Sequence, residues 1–147
     1  MIQRIQSLYL LLVTCALTVS LCLPLGYFYI FDEEQVFKAT GLLTSYGLHS
    51  TWGLFVLLLL VAIVSFFTIF LYKNRMLQIR LTIFSTLLVI GFYIVFIIFY
   101  FILKQGTTSF RVGWALCLPL VGLVLNILAI RAIGKDEVLV RAADRLR

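Results

Sequence analysis

Charged residues break the chain into four long uncharged stretches, at 5–31, 50–72, 81–103 and 112–130. A helix rises about 1.5 Å per residue, so about 20 apolar residues cross the roughly 30 Å hydrocarbon core of a bilayer. Each stretch reaches that length. Lys73, Arg80, Lys104, Arg111 and Arg131 bound the last three. The first stretch is longer than one crossing needs, and Pro24 with Gly26 predicts where its helix ends, because proline resists continuing a helix and glycine suits the turn. The pattern predicts an all-α membrane protein: a single domain over 1–147 built as a four-transmembrane-helix bundle. The spans fall at about 5–25, 50–72, 81–103 and 112–133. An external loop covers 26–49, with a short cytoplasmic C-terminal helix in the tail at 134–147. Composition agrees, since 63% of the 147 residues are hydrophobic and only 12% are charged, against about half and about a quarter in soluble domains. The first apolar run exceeds a signal-peptide core, and no small residues mark a cleavage site, so it is expected to be retained.

Charge sets the direction of the spans. Arg4, Lys73, Arg75, Arg80, Arg131, Lys135, Arg141, Arg145 and Arg147 lie on one side, and Lys38, Lys104 and Arg111 on the other. Basic residues concentrate on the cytoplasmic side of membrane proteins, so both termini are expected there. The net charge of +6 is thereby accounted for by topology and by contact with anionic lipid, and nucleic acid is not an expected partner. Tyr27, Phe28, Tyr29, Phe31, Trp52, Tyr72 and Trp114 fall near span edges, where amphipathic rings favour the headgroup layer.

Two β-prone runs, at 27–31 and 35–40, flank the acidic residues Asp32, Glu33 and Glu34, and this predicts a short hairpin in the external loop. The three acids are consecutive, unlike the alternate ligands of a calcium loop. In the tail, Gly134 reads as a helix stop, followed by a second helix opened by Asp136 and Glu137. Glu137 and Arg141 have the spacing of an i,i+4 ion pair. Leu139, Ala142, Ala143 and Leu146 share one face. Lys135, Asp136, Glu137, Arg141, Asp144, Arg145 and Arg147 are the candidate contacts for lipid or for a protein partner. The tail can lie on the membrane surface or meet a cytoplasmic protein.

Away from the span edges, Asn126 is the only amide, and Ser65, Thr68, Thr82, Ser85 or Thr86 could pair with it across helices. Pro119 deprives the Ala115 carbonyl of its helical donor and predicts a kink, while Gly122 permits close helix approach. These three are the candidate packing residues. The segment 21–25, Leu-Cys-Leu-Pro-Leu, recurs at 116–120, but one copy leaves the membrane where the other enters it, so transporter symmetry is not expected. Both copies approach the outer surface, which leaves a Cys22–Cys117 disulfide open.

The remaining chemistry is sparse. The four uncharged stretches contain no Asp, Glu, Lys, Arg or His for proton coupling. There is no CxxC, no phosphate loop, and His49 is the only histidine, so no catalytic site, cofactor or metal is expected. The ends of the chain, Met1-Ile-Gln-Arg-Ile-Gln-Ser-Leu-Tyr-Leu10 and Arg131-Ala-Ile-Gly-Lys-Asp-Glu-Val-Leu-Val-Arg141 with Asp144-Arg-Leu-Arg147, resemble a family of four-span bacterial proteins. The family is known as a domain of unknown function and is found mainly in Bacteroidetes. The resemblance covers the full length and implies an inner-membrane location, but no activity. The resulting expectation is a non-enzymatic accessory or scaffold subunit of an inner-membrane complex, with membrane lipids and other inner-membrane or cytoplasmic proteins as partners. Two alternatives stand beside it: a small transporter or lipid-binding protein with an uncharged pocket near Asn126 and Pro119, and an enzyme using His49.

Overall fold

A computed structural model of the chain describes residues 2–30, 33–44, 47–71, 74–104 and 109–145. Four helices carry the fold: α1 (Ile2–Cys22), α2 (Trp52–Phe70), α3 (Arg75–Lys104) and α4 (Cys117–Arg145). All four are long and apolar enough to cross a membrane. Helices consecutive in sequence pack side by side, and α4 returns against α1 to close the ring. The bundle therefore has two distinct ends. One carries the chain termini and the α2–α3 connection, and the other carries a β-sheet.

The partition of side chains is inverted relative to a protein folded in water. Leu8, Phe66, Phe67, Ile94, Ile97 and Phe101 are among many large apolar residues left exposed, while Gln6, Ser20, Ser65, Thr68, Gln78, Thr82, Ser85 and Asn126 are buried. Water does not tolerate exposed apolar surface on that scale, whereas lipid does. Inside, Val13, Leu17, Leu54, Leu58, Val61, Val89 and Phe92 form a continuous apolar core.

Helix α1 ends at Cys22, one residue before the Leu23-Pro24 pair, in keeping with the proline signal. The chain then enters a five-stranded antiparallel sheet: β1 (Gly26–Ile30), β2 (Glu33–Lys38), β3 (Gly41–Thr44), β4 (Gly47–Ser50) and β5 (Ser109–Val112), in spatial order β4-β3-β2-β1-β5. The expected hairpin is present as β1 and β2, with Tyr29 opposite Glu34 and Ile30 opposite Glu33. Glu33 and Glu34 thus belong to a strand and not to the turn; Asp32 lies outside the described residues. The sheet is larger than a lone hairpin. β3 and β4 extend it, and β5 joins β1 from the α3–α4 connection, where the sequence showed no strand signal.

Alternation along β1 and β2 turns Phe28 and Phe37 inward, both fully buried. Their rings meet edge to face at 5.6 Å, and Phe28 lies 4.6 Å from Phe110 of β5. Phe37 also approaches Phe96 of α3, at 6.0 Å between centroids. The sheet is therefore bolted to α3 through aromatic contact, which removes the marginality of an isolated hairpin. Two glycines permit the junction. A Cβ on Gly26 would stand 2.6 Å from the Phe110 ring, and one on Gly113 would stand 2.7 Å from the Pro24 carbonyl oxygen.

Two expectations about α4 are corrected. The helix does not stop at Gly134 but runs unbroken to Arg145, so no separate tail helix exists. A glycine ends a helix only when other forces favour leaving it, and contacts from α1 and α3 hold the helix past this point. Pro119, expected to kink the helix from within, is the third residue of α4, after a 3-10 turn at Trp114–Leu116. In a first turn proline is tolerated. The three cysteines are unpaired and exposed, so Cys22 and Cys117 form no disulfide.

Candidate functional site

The terminal end of the bundle carries the most developed polar geometry. Gln6 of α1, almost fully buried, donates from Nε2 to the Ala132 carbonyl of α4 at 3.2 Å. One turn further on, Arg75 at the start of α3 meets Asp136 of α4, with Nη1 to Oδ2 at 3.3 Å. The contact is an ion pair and not an aligned hydrogen bond, since Oδ2 accepts none. The same Nη1 also reaches the Asp136 backbone oxygen at 3.4 Å. Asp136 is 9% exposed, so its charge depends on Arg75 for compensation. These two anchors, from α1 and α3, carry α4 past Gly134 as a helix.

Beyond the anchors α4 projects. Lys135 is exposed, Glu137 is half-buried, and Arg141 bonds to Glu137 through Nε at 3.0 Å, the i,i+4 pair that the sequence predicted. Val138, Leu139, Val140, Ala142, Ala143 and Arg145 are all exposed. The side chain of Asp144, and Arg147, lie outside the described residues. Two clefts flank the projection. One, of about 440 Å³, is lined by Asn74, Arg75, Met76, Leu77, Glu137 and Val140. The other, of about 570 Å³, is lined by Arg131, Gly134, Lys135, Val138 and Leu139.

Asn126 lies in the bundle interior and is fully buried. Its Nδ2 donates to Ser85 Oγ at 3.2 Å, and Ser85 in turn shares a hydrogen bond with Ser65 Oγ at 3.0 Å. A single polar seam thus joins α4, α3 and α2, while Asn126 Oδ1 has no hydrogen-bond partner. Gly122 faces α1, where a Cβ would stand 3.8 Å from Val13. Pro119 is buried, and the Ala115 carbonyl that it cannot serve accepts instead from Ser20 Oγ of α1 at 3.0 Å. Tyr93 of α3 donates to the next carbonyl, Leu116, at 2.7 Å.

No local sequence signal marks Gln6, Ser20, Arg75 and Tyr93 as structural partners. Gln6 and Arg75 read locally as solvated span-edge residues, and only the return of α4 gives each a buried contact. Gln78, likewise buried, carried no stronger signal. Among the described residues no cluster of His, Cys, Asp and Glu could hold a metal ion. His49 belongs to β4, where its backbone pairs with Leu42 of β3; its side chain lies outside the description.

An up-and-down ring of four helices of membrane-spanning length, capped at one end by a small antiparallel sheet and extended at the other by one projecting helix, defines the class. A family model described as a domain of unknown function (DUF4293) matches residues 2–146. The chain belongs to that uncharacterised family. No curated protein matches it.

Proposed function

We propose that the protein is a non-enzymatic integral membrane protein of a bacterial inner membrane, with both termini in the cytoplasm, acting as an accessory or scaffold subunit of a membrane complex. The observation that carries the reading is the projection of α4. A helix of 29 residues measures about 44 Å, well beyond the roughly 30 Å hydrocarbon core. The excess is held upright by Gln6 and Arg75 and exposes Val138, Leu139 and Val140. An isolated helical end of this length is marginal in water, and an exposed apolar surface of this kind is characteristic of interaction sites. The excess of Lys and Arg at this end supports its cytoplasmic orientation. The absence of ionisable residues from the apolar interiors supports a role without proton coupling.

The test is purification from native membranes in mild detergent with in-membrane crosslinking. The intact chain is expected in a larger assembly, and a chain ending at Glu137 is expected outside it. Recovery of the intact chain as a lone monomer after crosslinking would overturn the reading. One observation favours the alternative of a transporter or lipid-binding protein with an uncharged pocket, namely the unpaired Oδ1 of Asn126. Against it, Asn126, Ser85 and Ser65 are closed off from solvent and bonded to one another.

A further inference from the structure

The 570 Å³ groove beside α4 carries a charge pattern that the scaffold reading does not use. Arg131 directly follows the last residue of the fourth apolar stretch, and Lys135 follows one turn later. Both are exposed and both line the groove. Among the described residues neither belongs to an ion pair, whereas the acidic residues of the same helix segment are engaged elsewhere, Asp136 by Arg75 and Glu137 by Arg141. Among the described residues, the rest of the lining, Gly134, Val138 and Leu139, is uncharged. Gly134 opens the floor, because a Cβ there would meet nothing within 4 Å. On the same face, toward the span, Val124, Ile127 and Leu128 are exposed.

We infer that this groove binds the phosphate headgroup of an anionic phospholipid, held between Arg131 and Lys135, with an acyl chain lying along Val124, Ile127 and Leu128. Two cationic residues four positions apart, about 6 Å along the helix axis, bracket a phosphate. The site lies at the level where headgroups sit, since the polar layers extend the bilayer from about 30 to about 40–45 Å. Charge complementarity selects an anionic lipid over a zwitterionic one, and the apolar face below selects a lipid over free phosphate. The inference rests on the chain spanning a membrane and not on its role as a scaffold.

The experiment uses the full-length protein in nanodiscs that contain phosphatidylglycerol and phosphatidylcholine, with retained lipid counted by native mass spectrometry. The intact protein is expected to retain phosphatidylglycerol preferentially, and millimolar inorganic phosphate is expected not to displace it. At about 1 kcal/mol per basic residue near an anionic surface, Arg131→Gln with Lys135→Gln weakens retention about thirty-fold. The control pair Lys73→Gln with Arg80→Gln changes net charge equally on the same side of the membrane and is expected to leave retention nearly intact. Gly134→Leu keeps both cations, fills the groove floor and is expected to weaken retention several-fold. Circular dichroism and thermal unfolding confirm that each variant is folded. Equal losses in the two charge pairs would reduce the site to diffuse attraction and overturn the inference. So would unchanged retention in Gly134→Leu, displacement by phosphate, or an intact protein with no preference for phosphatidylglycerol. None of these results bears on recovery of a crosslinked complex, so the two readings fail separately.

Discussion

The Arg75–Asp136 contact holds α4 helical past Gly134, and Asp136→Ala tests that assignment. At 3.3 Å and an effective dielectric of about 20, the gross attraction is about 5 kcal/mol. Desolvation of both ions offsets much of it, and breaking a fully buried pair typically costs about 3–5 kcal/mol because the surviving charge loses its partner. Here the Arg75 side chain is 22% exposed, so the freed guanidinium recovers part of its hydration. A loss of about 2 kcal/mol in the local stability of the projection follows, below that range because the pair is only partly buried. The assay is hydrogen exchange by mass spectrometry on peptides covering 134–145 in nanodiscs. A loss of that size accelerates exchange about thirty-fold if the segment opens locally. Glu137→Ala removes a surface pair with an exposed arginine and is expected to change exchange less than three-fold, since such pairs contribute about 0.3–0.5 kcal/mol. Exchange unchanged in Asp136→Ala, or accelerated equally in Glu137→Ala, would refute the clasp. A double-mutant cycle with Arg75→Gln is expected to show a coupling of about 1–2 kcal/mol, as for residues in one contact network.

Replacing Gly134 by Ala is expected to stabilise α4 by about 0.5–1 kcal/mol, the ordinary cost of glycine in a helix interior, because nothing crowds its Cβ position; slower exchange in 134–145 checks this. Ser20→Ala withdraws the hydroxyl donor from the buried Ala115 carbonyl and is expected to cost about 1–3 kcal/mol in thermal or denaturant unfolding. The cost is expected to shrink in a Pro119→Ala background, where a backbone N–H becomes available. Phe28→Ala removes the ring that joins β1 to Phe37 and Phe110 and is expected to cost about 3–5 kcal/mol, read as protease sensitivity in 26–50 while the helical signal persists.

Much of the architecture was legible in the amino-acid order because it depends on length and polarity alone. Four uncharged runs of sufficient length specify four helices, each satisfying its own backbone hydrogen bonds. The end of α1 before Pro24, the β1–β2 hairpin and the Glu137–Arg141 pair are equally local, since each joins residues within a few positions of one another. The seam was half legible. An amide in an apolar run requires a partner, but the choice of Ser85 over its neighbours depends on how α3 rotates against α4.

The tertiary structure decided the rest. A strand at Ser109–Val112 forms because β1 offers an unpaired edge beside it, not because four residues between two helices favour extension. Ser20 and Tyr93 serve the carbonyls ahead of Pro119, so the proline opens a helix that the sequence pattern had it bending. At Gly134 the local preference is to stop, and it is overridden by Gln6 and Arg75, which arrive from α1 and α3 to grip Ala132 and Asp136. A glycine biases a helix end by about 1 kcal/mol, and a buried ion pair contributed from another helix exceeds that bias. The partner lies 61 positions away in the chain, so no pattern local to the tail contains it.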